Sequence, residues 1–123
     1  MTIIEAIGII NAVKPNNYTE LDKIGWLSEI ETTIKTEVID THEGGEDIIF
    51  KGYDQDTNTD TKLLLSEPYD DIYIKWLEAK IDYHNAEYSK YNNAMVAFNN
   101  AYSSFERYYN RHHMPIQNKL KFF

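Results

Sequence analysis

From Leu77 to Tyr109 the sequence carries apolar or aromatic side chains in steps of four and three. They are Leu77, Ile81, His84, Tyr88, Tyr91, Met95, Phe98, Tyr102, Phe105 and Tyr109. Steps of this kind place every such residue on one seam of an α-helix. No Gly or Pro interrupts the chain between Pro68 and Met114. Pro68 suits a first helical turn, and Asp70 and Asp71 favour the positive helix N-terminus. The unbroken phase predicts one long C-terminal helix, or two nearly collinear ones with a kink in Ser89–Asn93, where helix propensity is poor. About forty helical residues would run about 60 Å. A chain of 123 residues cannot cover that length alone, so part of the seam is expected to meet other subunits. Tyrosine dominates the seam, and its hydroxyl seeks a partner, which suits interfaces. Tyr88, Tyr91, Phe98, Tyr102 and Tyr109 are the candidates for helix packing.

Two earlier helices are expected. Thr2 and Glu5 have capping-box spacing, after which Ile3, Ile7 and Ile10 share a face. Pro15 and Asn16-Asn17 stop this helix. Thr19 can cap the amide near Asp22, and Leu21, Ile24, Leu27, Ile30 or Glu31, Ile34 and Val38 follow helical spacing. Trp26 lies off that stripe and is expected to face a neighbour. Gly44-Gly45 marks the exit. The expected fold is mainly α: a helical bundle with a long C-terminal helix and a short β-hairpin or extended arm between helices 2 and 3. Residues 1–114 are expected to form one domain that includes the arm (43–67), and 115–123 a flexible tail.

The arm is read from two short apolar runs, "DIIF" (47–50) and "KLLL" (62–65), with "YDQDTNTD" (53–60) at the tip. A two-stranded hairpin is marginal in water, so it needs a helix or another subunit to rest on. Ile48, Phe50, Leu63 and Leu65 are expected to hold it there. Asp54, Asp56, Asn58 and Asp60 have the spacing that opens a calcium-binding EF-hand loop. That loop requires glycine at its sixth place and a bidentate Glu at its twelfth. Thr59 and Leu65 stand there instead, and Glu67 comes two residues late. A solvated acidic loop is the better reading, since Asp, Asn and Thr favour turns; a calcium-dependent binding module is the weaker alternative.

Charge narrows the function classes. The net charge is −8, which disfavours equilibrium binding to phosphate backbones. Residues 37–71 hold eleven acids and two lysines, whereas 111–123 carry Arg111, Lys119 and Lys121 and no acid. An acidic middle and a basic tail suit head-to-tail self-association. Cysteine is absent, which removes disulfides, thiolate metal sites and cysteine nucleophiles. No apolar run approaches a membrane span, and "MTIIEAIGII" lacks the features of a signal peptide, so synthesis in a cytoplasm is expected. "THEGGE" begins like H-E-x-x-H but ends in Glu46. His84 lies on the seam, and His112-His113 suits a helix C-terminus. Asp70 and Asp71 are adjacent and diverge, so they do not form an acid–base pair. No G-x-S-x-G, P-loop or G-x-G-x-x-G occurs. Neither an enzyme nor a cofactor or metal site is expected. In "MPIQNKLKFF", Lys119, Lys121, Phe122 and Phe123 are the candidates for partner contact, against docking on the chain's own core.

Three groups of residues carry a resemblance: "WLSEIE…EVIDTHEGGE", "GYD…PYDDIYIKWLEAKIDY" and "EYSKYNNAMVAFNNAY…YYNRHHMP" with the final "KFF". Together they resemble head–tail connector, or head-completion adaptor, proteins of tailed phages of Gram-positive bacteria, over about Tyr18 to Phe123. The resemblance implies a helical subunit of a ring, dodecameric in the virion, beneath the portal protein. Such a ring extends the DNA channel and receives a stopper or tail-completion protein. DNA would pass through without sequence-specific binding, and an acidic wall would let it slide. No catalytic residues are implied. Another phage assembly role, in tail completion or as a scaffold, is the alternative.

Overall fold

The computed structural model describes residues 1–116, so Lys119, Lys121, Phe122 and Phe123 lie outside the described residues. Four helices make the body: α1 (Ile3–Val13), α2 (Glu20–Glu37), α3 (Asp71–His84) and α4 (Tyr88–His112). Short 3-10 turns at Ile39–Thr41 and Gly45–Asp47 follow α2.

Both early helices start as their local chemistry dictates. Thr2 Oγ1 accepts from the Glu5 amide at 3.2 Å, and Glu5 Oε1 accepts from the Thr2 amide at 2.8 Å. Thr19 and Asp22 repeat the reciprocal arrangement at 3.0 and 3.1 Å. Each capping residue of this kind stabilises its helix by about 1 kcal/mol. Ile3, Ala6, Ile7 and Ile10 of α1 are buried, as are Ile24, Leu27, Ile30 and Ile34 of α2. Leu21, on the expected stripe, is exposed.

The seam from Leu77 to Tyr109 is real, but it folds back on itself. The chain reverses at residues 85–87. The Ala86 amide donates to Tyr83 O at 3.0 Å and the Glu87 amide donates to Asp82 O at 2.9 Å. Ala86 adopts φ +59°, in the left-handed region. This is a Schellman ending with alanine where glycine is usual. Ser89–Asn93, the expected kink, lies inside α4. Helices α3 and α4 then pack antiparallel, with Trp76 on Phe98 (ring centroids 5.1 Å), Tyr83 on Tyr91 (5.4 Å) and Tyr69 on Tyr108 (4.7 Å). Phe98, Phe105 and Tyr109 are buried and Tyr91 and Tyr102 partly so. Tyr88, expected to pack, is instead 58% exposed at the turn. The seam is thus covered by the chain itself, and helix length no longer requires a second subunit.

The β-hairpin is not formed. Among the described residues only isolated bridges occur, Thr2 with Lys62 and His42 with Pro115. Instead of pairing with "DIIF", the chain from Thr59 to Leu63 pairs with the start of the molecule. The amides of Ile3 and Ile4 donate to Thr61 O (3.0 Å) and Thr59 O (2.9 Å), and the Leu63 amide donates to Met1 O (2.9 Å). The first two bonds use amides that a helix N-terminus leaves without intrahelical partners. Leu63 and Leu65 are buried, Ile48 and Phe50 half-buried, and Ile49 is exposed. Phe50 meets the Tyr53 ring edge-on at 4.9 Å.

Candidate interaction surfaces

The loop that reads as an arm is held down by one buried carboxylate. Glu31 lies on the inward face of α2 and is fully buried. Its Oε2 accepts from the Tyr53 hydroxyl and from the Leu64 amide, each at 2.8 Å. Its Oε1 accepts from the Tyr73 hydroxyl at 2.5 Å, and that hydroxyl accepts from the Leu65 amide at 3.0 Å. Burial pushes the Glu31 carboxyl above its ordinary range, and the bonds from Tyr73, Leu64 and Tyr53 partly oppose the shift. Burial and the neighbouring carboxylate push both tyrosine hydroxyls well above their ordinary range, so they stay protonated and donate. A buried charged group with three donors satisfies the rule that interior polar groups must be paired. Sequence reading left Glu31 as an alternative to Ile30. An acid in phase with Leu27 and Ile34, with Tyr53 and Tyr73 available as donors, was the signal for this cage.

At the tip, the side chains of Asp54, Thr57 and Asn58 hold turns. Asp54 Oδ1 accepts from the Asp56 amide at 2.8 Å, and Asn58 Oδ1 accepts from the Asp60 amide at 2.8 Å. The Thr57 hydroxyl accepts from the Asp54 amide at 2.8 Å. These are Asx and related turns. Asp54, Asp56 and Asp60 are exposed. Among the described residues no group of three or more His, Asp or Glu is arranged to hold a metal ion.

The histidines are structural anchors. His42 is buried; its Nδ1 lies 2.5 Å from Val38 O and its Nε2 lies 2.6 Å from Asn110 Oδ1. Its ring meets Tyr109 edge-on at 4.8 Å. It therefore ties the end of α2 to the end of α4. His112 Nδ1 lies 2.9 Å from Tyr108 O, at the helix end expected for it. Beyond α4, the Glu43 amide donates to Met114 O and the Ile116 amide to Thr41 O, both at 2.8 Å.

Two surfaces are suited to protein contact. At the α3–α4 turn, His84 stacks on Trp26 (5.2 Å, 12°), which meets Tyr18 edge-on at 5.4 Å. Trp26 thus meets a neighbouring helix, as expected, and its carbonyl accepts from the Trp76 indole at 2.9 Å. Tyr83 and Tyr88 are about half exposed beside this array. Aromatic residues concentrated in this way are typical of interface anchors. The second surface is the outward side of α4. Residues 91–105 include no charged side chain and no histidine, although 26% of the chain is charged and about four such residues would be expected in fifteen. Asn93, Val96, Ala97, Asn100 and Ser104 are exposed there.

No helix among the described residues is long and apolar enough to cross a membrane. Comparison of the chain with known protein families, with characterised proteins and with solved structures gives no match.

Proposed function

We propose that this protein is a structural assembly subunit, a head–tail connector that forms a ring beneath the portal of a tailed phage. It would act by docking, without catalysis. The observation that carries the reading is the uncharged stretch of α4, residues 91–105, on its outward side between the exposed Lys90 and Arg107. Helix α4 is 25 residues long, packs on α3, and leaves Val96 60% exposed. On a surface with net charge −8, like-charged copies repel, and an uncharged helical face lowers the desolvation cost of bringing them together. The resemblance to connector proteins adds the setting: a ring between portal and stopper, through which DNA passes unbound.

The test is Val96→Glu. Because Val96 is exposed, the variant should keep its helical circular dichroism and melting temperature. In phage assembly it should fail to form connector rings on purified portals by electron microscopy. Normal rings with a folded variant would remove the basis for the reading.

A further inference from the structure

Helix α1 is apolar on every side: between Ile3 and Val13 only Glu5 and Asn11 are polar. A helix of that composition is normally buried all round. Here α1 packs on α2 and α3, yet Gly8, Ile9 and Ala12 stay exposed. These three border an open groove of about 620 Å³ that Glu67 and Asp70, ahead of α3, also line. Gly8 sits in the middle of α1, and a Cβ there would meet nothing within 4 Å. The fold therefore does not need glycine at this position, and glycine inside a helix weakens it relative to alanine. What the missing side chain permits is close approach of another chain's backbone.

The groove is also charged with one sign. Met1, Ile9 and Ala12 give it an apolar wall, and Glu5, Glu67 and Asp70 give it three carboxylates. Glu5 is engaged in the α1 capping box and feels the Met1 amino group and Lys62. Glu67 and Asp70 form no ion pair among the described residues, and Asp70 makes no capping hydrogen bond to α3. No basic side chain lines the groove. An apolar wall thus lies beside two carboxylates that no described side chain neutralises.

We propose that this groove takes a basic amphipathic helix from another protein. The apolar residues of that helix cover Met1, Ile9 and Ala12, its backbone crosses α1 at Gly8, and its lysines or arginines meet Glu67 and Asp70. In helix-in-groove docking, apolar burial supplies the attraction, and the charges set orientation and select the partner. A second copy of this chain is the poorer occupant. Two grooves face to face would set Glu67 and Asp70 against their own counterparts, in molecules of net charge −8. The inference stands apart from the connector reading, which rests on α4.

The test titrates the full, isotope-labelled chain with a synthetic amphipathic peptide of leucine and lysine, about fourteen residues or four helical turns long, and follows amide NMR shifts. The expected shifts saturate and concentrate at Gly8, Ile9, Ala12 and Asp70. A peptide with glutamate in place of lysine should leave those amides unmoved. Glu67→Gln with Asp70→Asn should weaken binding about fivefold, the scale of two exposed ion pairs. Asp54→Asn with Asp56→Asn, an equal change of charge at the loop tip, should leave binding as it was. Gly8→Leu should raise the melting temperature, since leucine is the better helix former, and still remove the shifts, which a folding defect would not do. Shifts spread over the acidic loop, an equal loss from the tip pair, or equal binding of the glutamate peptide would overturn the proposal. So would a lack of saturable binding up to millimolar peptide. Shifts at the same amides that grow with protein concentration alone would assign the groove to a second copy and overturn it as well.

Discussion

Replacing Glu31 with alanine should release the segment from Tyr53 to Leu65 and cost a large part of the fold's stability. The carboxylate is fully buried and receives three hydrogen bonds. Its loss leaves the buried Tyr73 hydroxyl and the half-buried Leu64 amide without their acceptor. Each unsatisfied donor costs about 1–3 kcal/mol. Tyr53 is half-buried, so its hydroxyl regains water and loses about 1 kcal/mol. Relief of the cost of burying a carboxylate offsets part of this. The net loss should be about 2–5 kcal/mol, against a usual total of about 5–15 kcal/mol. Urea denaturation followed by circular dichroism reads it as a midpoint lowered by about 1–3 M. Hydrogen exchange at Leu64 and Leu65 should accelerate by more than the global change, because the segment opens first. Glu31→Gln keeps the shape and one acceptor but sets an amide against Tyr73, so its cost should be about half as large. The cage argument would be refuted if Glu31→Ala shifted stability by less than about 0.5 kcal/mol with Leu64 protection unchanged.

The same carboxyl gives a pH signature. Its folded value lies above the ordinary 4.5, chiefly through burial, so the folded state binds the proton more tightly than the unfolded chain. Its contribution is therefore fully present below about pH 4.5 and is lost as pH rises through the folded value. The stability of the wild type relative to Glu31→Gln should fall between acidic and neutral pH, measured by parallel urea titrations; a rise would reverse the assignment. At the α3–α4 turn, Ala86 sits at φ +59°, a conformation that costs a non-glycine residue about 1 kcal/mol. Ala86→Gly should raise the melting temperature by a few degrees by calorimetry, and a lower one would mean the turn is held elsewhere.

The local parts of this fold are written plainly in the sequence. Thr2 with Glu5 and Thr19 with Asp22 start helices because the cap and its partner lie within one turn. The inward residues of α1 and α2 follow from periodicity for the same reason. The α3–α4 seam shows where a heptad pattern stops informing. It names the face that must be covered and not what covers it, so an antiparallel hairpin and one long helix share one pattern. Glycine would have marked the reversal, but the Schellman ending places Ala86 there. The loop misleads in a related way. "DIIF" and "KLLL" have strand-like composition, yet the segment they flank, from Tyr53 to Leu64, bonds to the first amides of α1, to Ser28 and to Glu31, none of them near in sequence. Tyr53 shows the distance involved: its amide donates to Ser28 Oγ at 3.0 Å and its hydroxyl to Glu31 at 2.8 Å. Glu5, Ile9, Glu67 and Asp70 border one groove, which composition could not show because they meet only after folding.

Holding the acidic loop against the body has a consequence for association. Asp54, Asp56 and Asp60 project from a segment bonded to α1 and α2, whereas α4 packs on α3. The tip carboxylates therefore sit with α1 and α2, and the uncharged stretch of α4, residues 91–105, sits on the helix that packs on α3. Two copies meeting through α4 would repel only through space, and at physiological ionic strength such repulsion is screened beyond about 8 Å. Contact through α4 should therefore strengthen with salt, since added ions weaken the repulsion and leave the apolar contact intact. A contact built on ion pairs between the acidic loop and basic residues would weaken instead. Sedimentation of the protein at low and high salt separates the two, and association that declines with salt would count against α4 as the surface through which copies meet.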